Sequence, residues 1–343
     1  MPLTLAPLTP DRLEEAAELL AARHRRDRER APRLPAAPGG TGRALALLRE
    51  QFETPGTTGV LARRDGRAVG FLLGRPVYAA PARPFAGVMP GRAAEVPYEG
   101  HAADPGEPGV LPAMYAALAE AWLDDGLDVH FATVPAGPLD AAWADLGFAR
   151  FIALGVRPTG PDPALGPLPP GVSVRRAGPD DVAAVTDLTI DLIRSFADAP
   201  IFVPWLPEAA PSVAPWVGER LEDPACCWWL ACEGDRPVAH ELFVEPRSPH
   251  WHEGTMQAPD GSVYLSLAST AADRRGRGLG AALLGHGLEQ AARAGHAHCA
   301  LHWLTASRAA RFWQGCGAVP LNHWMRRAVD PRAVFGRPGR RGG

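Results

Sequence analysis

The 343-residue chain reads as an α/β protein made of two tandem copies of one unit, each a mixed central sheet flanked by helices. Three observations predict this. Apolar residues switch repeatedly between a period of two and a period near 3.6, the patterns of half-buried strands and amphipathic helices. The stretch Ser262–Ala294 joins a strand, a glycine-rich turn and a helix without a break. Short motifs also recur about 169 residues apart and in the same order.

The repeat sets the order of elements. Pro10-Asp11 follows an apolar opening segment and precedes a helical pattern through Leu13, Ala16, Ala17 and Leu20. Pro179-Asp180 does the same after Val172–Arg176, with Val182, Val185, Leu188 and Leu192 on one helix face. Asp65-Gly66 and Gly234-Asp235 are turns that open strands at Arg67 and Arg236. Trp143 with Leu146-Gly147 is answered by Trp313 with Cys316-Gly317 at an offset of 170. Each copy then runs strand, helix, helix, several strands, helix, strand, helix, strand. Between the copies lies a stretch with six prolines and three glycines, Arg157–Gly171, which predicts an extended, semi-rigid connector. The expected division is 1–157, a linker at 158–171, 172–330, and a basic disordered tail at 331–343.

Within Ser262–Ala294, Val263, Leu265 and Leu267 alternate with Tyr264 and Ser266, which predicts a strand with one buried face. Arg275-Gly276-Arg277-Gly278-Leu279-Gly280 then opens a helix carrying Leu284, Leu288, Ala291 and Ala292. The first amides of a helix lack internal partners and sit at the positive end of its dipole. Glycines let those amides converge and let a ligand approach the backbone, so the turn is an anion cradle and its ligand carries phosphates. The spacing is not GxGxxG, and there is no GK[ST].

Arg275-x-x-Gly278-x-Gly280 between an apolar strand and a helix resembles the acetyl-coenzyme A signature of the GNAT acyltransferases. A strand at Cys299–Leu304 and a short helix pattern through Ser307–Gly317 resemble the closing elements of that family. The resemblance implies two tandem GNAT-like domains with twisted, splayed central sheets, an architecture similar to that of the mycothiol synthases. It implies acetyl-CoA as acyl donor, direct attack by the acceptor, and no metal. Cofactor contacts would come from the backbone of Ala268, Ser269 and Thr270, from Arg275 to Ala281 (Arg275, Gly276, Arg277, Gly278, Leu279, Gly280, Ala281), and from Ser307 and Trp313. In the first copy the equivalent turn is Asp104-Pro-Gly-Glu-Pro-Gly-Val-Leu111: Gly109 matches Gly278, but Gly106, Pro108 and Leu111 replace Arg275, Arg277 and Gly280. Proline removes an amide and Glu107 repels phosphate, so the first copy is expected not to bind coenzyme A.

Side-chain chemistry fits the family less closely. Trp313 stands where many members have a tyrosine acid, and Ser266 where many have a glutamate. An indole N–H is not a usable acid. His240, Glu241, Tyr264 and His302 are the candidates for proton transfer, each weighed against a role as a packed sheet residue. Ser307 is equally a helix N-cap. Phe196, Phe202 and Trp205, between the first two helices of the second copy, would wall the acceptor, with Asp198 and Glu208 to attract a cationic amine.

Composition excludes other classes. A net charge of -3 and a pI near 6.4 give no reason to expect nucleic acid or a membrane surface as partner. All 35 basic residues are arginine, so single Arg clusters carry little weight, and Arg23–Arg30 reads as a solvated face. Five cysteines without CxxC spacing predict reduced thiols, and His250 and His252 lack a third metal ligand. No signal peptide or bilayer-length apolar run is present, so a cytoplasmic location and a monomer or homodimer are expected. The expected activity is acetyl-CoA-dependent N-acetylation of a small-molecule primary amine, centred in the second copy. An amino-sugar or thiol-precursor amine and an aminoglycoside-type amine are possible acceptors. A non-catalytic acyl-CoA sensor, a protein N-terminus or a hydroxyl acceptor are the alternatives.

Overall fold

The computed structural model describes residues 2–36, 40–80, 82–250 and 258–336. Trp251, His252 and the end of the tail lie outside the described residues. The first copy supplies β1 (Thr4–Pro7), α1 (Leu13–Arg30), α2 (Thr41–Glu53), β2 (Thr58–Arg64), β3 (Arg67–Tyr78), β4 (Arg92–Val96), β5 (His101–Ala103), α3 (Val110–Asp124), β6 (Val129–Pro135), α4 (Pro138–Asp145) and β7 (Ala149–Pro158). The second supplies β8 (Val172–Arg176), α5 (Val182–Ser195), α6 (Val213–Glu222), β9 (Cys226–Glu233), β10 (Arg236–Val244), β11 (Ser262–Thr270), α7 (Leu279–Arg293), β12 (His298–Leu304), α8 (Arg308–Gly315) and β13 (Val319–Ala328). Positive φ recurs at the repeat offset, at Asp65 and Gly234, Gly109 and Gly278, Gly126 and Gly295, and, one residue later, Gly147 and Gly317. Four recurrences of so restricted a backbone state mark two copies of one chain path.

The chain forms two compact units that are not continuous in sequence: Met1–Ala79 with Pro90–Phe151 and Asn322–Gly343, and Ala80–Met89 with Ile152–Leu321. In the first, the sheet order is β1-β2-β3-β4-β6-β13, with β5 also on β3. In the second it is β7-β12-β11-β10-β9-β8. Each sheet is therefore closed by the last strand of the other copy. Asn322–Ala328 pair antiparallel with Val129–Pro135, and Ile152–Pro158 pair antiparallel with His298–Leu304. The division expected at 157–171 differs from these units by those two strands and by residues 80–89. A period-two pattern fixes which residues a strand buries but does not name its neighbour. The linker is also more than an extended connector. It holds a 3-10 turn at Pro163–Leu165, Leu165 is buried against Gly285 of α7, and Asp162 pairs with Arg157 at 2.9 Å.

In the first unit β4 follows β6 only through Ala94–Val96, and the chain then turns at Tyr98–Gly100 before β5 resumes on β3. The gap this opens is filled by the unit's own side chains. His101 Nε2 lies 3.0 Å from the Thr133 carbonyl on β6, and its ring meets Trp143 edge-on at 5.3 Å. Arg23 donates to the carbonyls of Tyr98 and His101 at 2.8 and 2.9 Å, and the Tyr98 hydroxyl meets His24 Nδ1 at 2.9 Å. Arg23 and His24 are buried, so the charge run at 23–30 is not wholly a solvated face. Asp27 is turned inward with them, 3.4 Å from Arg23.

Because β7 and β13 are exchanged, separating the two copies breaks both ladders. Cutting the chain at a protease site inserted beside Leu168, in the exposed linker, should leave the two fragments co-eluting on size-exclusion chromatography and parting only in denaturant.

Candidate active site

In the second unit β11 pairs antiparallel with β10 along its length, but parallel with β12 only from Ser262–Leu265 to His298–Leu301. The β10 register slips between Leu242, opposite Leu267, and Phe243, opposite Leu265, which leaves Ser266 as an unpaired bulge. Beyond it β11 leaves β12, and a cleft opens between them.

The bulge also changes which way side chains point. Val263 and Leu265 pack with Leu284, Leu288 and Trp313 of α7 and α8, whereas Tyr264 and Leu267 pack with Val185, Val217 and Trp228 on the α5 and α6 face. The expectation that Val263, Leu265 and Leu267 share one buried face is thus overturned. Both faces are buried, and one extra residue moves Leu267 to the other.

At the cleft's outer end lies the glycine turn. Gly278, at φ 79°, is the N-cap of α7, and Gly276 has φ 76°. An added Cβ at either would meet nothing within 4 Å, so the demand for glycine there is conformational and the space above the amides is open. Arg275 Nε donates to the Thr270 carbonyl at 3.0 Å, fastening the turn to the end of β11, and Arg277 is exposed. At Gly280 a Cβ would sit 3.5 Å from Thr270 Oγ1 and 3.7 Å from Phe312. Phe312, rather than Trp313, therefore reaches the turn. Trp313 is buried with Ala310 and Cys316, and Ser307 Oγ donates to Leu304 O at 2.7 Å. Ala268, Ser269 and Thr270 line the β11 side of the cleft, half-buried.

The first unit's turn is closed by its own acids. Asp104 accepts from the Gly106 amide at 3.1 Å and pairs with Arg67 at 2.8 Å, and Glu107 pairs with Arg64 at 2.6 Å. Two carboxylates thus stand in the loop that leads into α3, each paired with an arginine.

Of the four proton-transfer candidates, two come together. The Tyr264 hydroxyl lies 2.7 Å from His302 Nε2, and their rings stack at 5.1 Å. Tyr264 is the last-but-one β11 residue paired to β12, and His302 the first β12 residue past that ladder, so the pair stands at the apex of the cleft. Burial pushes the Tyr264 hydroxyl far above its ordinary value, against a smaller opposing effect of its hydrogen bond with Ser266, so it stays an O–H donor at neutral pH.

The other two are separated. His240 is fully buried and takes the Trp228 indole N–H on Nδ1 at 2.9 Å, and burial pulls its pKa down to about 3. Glu241, 1% exposed, points to the opposite face, beneath Gly287 of α7. Its Oε2 has no hydrogen-bond partner among the described residues, and burial holds its pKa well above the usual 4.5. Neither stands beside the Tyr264–His302 pair.

The acceptor-loop residues are also divided. Val203 donates its amide to the Phe196 carbonyl at 2.9 Å, and Trp205 packs on the α5–α6 cluster beneath the Arg194 guanidinium at 5.3 Å. Phe202 is 71% exposed and does not join that cluster. The bulge, Phe312 and the placement of residues 82–89 were all missed in the sequence. Only the bulge leaves a trace there, since a strand with Tyr264 among its apolar residues has no clean polar face. Among the described residues no group of three or more His, Cys, Asp or Glu is arranged to hold a metal ion, and no helix is long and apolar enough to cross a membrane.

Comparison with known proteins gives this geometry a context. Residues 190–318 match the model of the Acetyltransferase (GNAT) family. A GCN5-related N-acetyltransferase from Sphaerobacter thermophilus is 18% identical, with 96% of each chain covered and a TM-score of 0.57. The glucosamine N-acetyltransferase region of a fungal multi-domain β-N-acetylglucosaminidase is 13% identical, with a TM-score of 0.54 over 95% of this chain and 38% of that one. No curated protein matches the chain in sequence.

A buried acid that stays protonated makes stability fall as pH rises above its unfolded value, because the unfolded chain releases a proton that the fold retains. Glu241→Gln should therefore raise the thermal midpoint at pH 8 and leave it unchanged at pH 4. His240 has the opposite sign: the unfolded chain takes up a proton below about pH 6.5 that the fold refuses until about pH 3. Stability should accordingly fall on acidification across that window, by up to about 1.4 kcal/mol per pH unit for one such group. Calorimetric melts from pH 4 to 8 check both.

Proposed function

We propose that this chain, a GNAT acyltransferase through its family domain at residues 190–318, transfers the acetyl group of acetyl-CoA to a small-molecule primary amine in the cleft between β11 and β12. What carries the reading is the coincidence of three features on one cleft: the open amide turn at Gly276–Gly278, the strand edge at Ala268–Thr270, and the Tyr264–His302 pair at the apex. The pyrophosphate of coenzyme A would rest on the amides of Gly276 to Ala281, assisted by Arg277. Its pantetheine amides would pair with the β11 backbone, which has no β12 partner there.

The neutral amine forms the C–N bond as the C–S bond of the thioester breaks. His302 takes the proton that the amine loses. Tyr264 gives a proton to the departing thiolate and is reprotonated by His302 along the 2.7 Å hydrogen bond. One proton passes in net from nitrogen to sulfur. The first copy, with its turn occupied by Asp104 and Glu107 and its gap bridged by His101, supports the other and binds no coenzyme A.

Titration calorimetry with acetyl-CoA should give one site per chain. Gly280→Glu should weaken it about 100-fold or more, roughly 2.7 kcal/mol, and Gly106→Glu in the first unit should change nothing. Two equivalent sites would refute the silent first copy. Across an amine panel, free-thiol release should fall about 100-fold in His302→Gln, the scale of lost general acid–base catalysis, with acetyl-CoA affinity retained. Tight binding with no acceptor raising thiol release above hydrolysis would instead identify an acyl-CoA sensor.

A further inference from the structure

Residues 80–89 belong by sequence to the first copy, between β3 and β4, yet they are part of the second unit. Phe85 packs on the apolar cluster that holds Tyr264 and Leu267, and its ring meets Trp216 of α6 edge-on at 5.7 Å. Trp216 is fixed in turn by the Arg220 guanidinium at 3.9 Å and by Trp228 at 6.1 Å, and Trp228 donates to buried His240. Gly87 lies so close to the acceptor loop that an added Cβ would come within 2.0 Å of the Pro204 carbonyl oxygen and 3.3 Å of Val203. Both facing segments hold a non-glycine residue at positive φ, Phe85 at 61° and Phe202 at 53°. Such backbone states persist where surrounding contacts over-determine them.

We propose that residues 82–89 are a fixed strap that positions the 196–205 loop and sets acceptor specificity in the cleft, favouring a primary amine carried on an aromatic or bulky apolar body. This rests on the acetyl-transfer reading for the identity of the acceptor, though not for the strap's hold on the loop. Phe85 and Trp205 are half-buried on one cluster, and the loop presents Phe202, 71% exposed, so apolar contact is offered there, and the exposed Asp198 attracts the cationic form of the amine. A strap that positions this loop acts on the acceptor and not on the amide turn, so the two substrates should respond differently.

The test compares the full chain with Gly87→Ala, Phe85→Ala and the control Leu5→Ala, a residue 39% exposed on β1 and not part of the second unit. Amide hydrogen exchange of Ile201, Phe202 and Val203, which bond back to Asp198 and Phe196, should quicken in both strap variants, while α7 is unchanged. With benzylamine and n-propylamine as acceptors, KM for benzylamine should rise about tenfold, the scale of a lost apolar contact, with KM for n-propylamine and for acetyl-CoA unchanged. Unaltered loop exchange in both variants overturns the strap. So does a parallel change in all three KM values, which marks general destabilisation. If neither amine accepts acetyl in the parent protein, the transfer reading fails by itself, and loop exchange decides whether the strap holds. Should Gly87→Ala fail to fold, Phe85→Ala carries both readouts, and Phe85→Leu, which keeps an apolar side chain on Trp216, should restore parental exchange.

Discussion

A strand in the middle of a sheet has two edges to satisfy, and β11 satisfies both only as far as Leu265. From the bulge at Ser266 onward it keeps β10 and abandons β12. Each buried backbone group left without a partner costs about 1–3 kcal/mol, so a strand end of this kind persists only where a ligand or solvent can pair with it. The same single-residue slip turns Leu267 to the α5–α6 face and leaves Ala268 on the α7 side, while Tyr264, still within the ladder, meets His302 where the strands part. The pair, the end of the ladder and the bulge thus fall within three successive residues, Tyr264 to Ser266, and the glycine turn is hung from the same strand through Arg275 and Thr270.

The two copies show how little is needed to close such a site. The first has the same departure of β4 from β6 and the same positive-φ glycine at the start of its helix. There the chain makes its own partners: His101 reaches Thr133 across the gap, Arg23 caps the turn that follows β4, and Asp104 takes an amide of its loop. Each contact satisfies a backbone group from within the unit. Topology is held in common, and side chains decide whether the opening is kept or filled.

Much of this was legible in the sequence because it is local. The helix at Leu279–Arg293, the glycine turn before it, the doubling at 169 residues and the acidic residues Asp104 and Glu107 are properties of short windows, and the structure has them in place. What escaped depends on pairing at a distance. Nothing in Ala149–Pro158 says that it will lie beside β12 and not beside β6, since either partner suits its alternation. The bulge at Ser266 is set by β10, so the strand alone suggested a single buried face. His240 and Glu241 are adjacent in sequence and suit the same chemistry on paper, but the pleat sends them to opposite faces, where burial disfavours the charged form of each.

The exchange of strands gives the first copy a role that does not depend on a ligand site of its own. Past Leu301 the β11 ladder has ended, and His302, Trp303 and Leu304 are held on the sheet by Leu154, Ala153 and Ile152 of β7. The histidine at the apex of the cleft therefore owes its place to backbone hydrogen bonds from the first copy. Residues 82–89 bring a second piece of that copy against the 196–205 loop. A free copy of the second half would have a cleft with one unsupported wall. The tandem arrangement therefore has a physical reason that needs no ligand in the first copy: that copy lends a strand and a loop, and its remaining core serves to hold them in register.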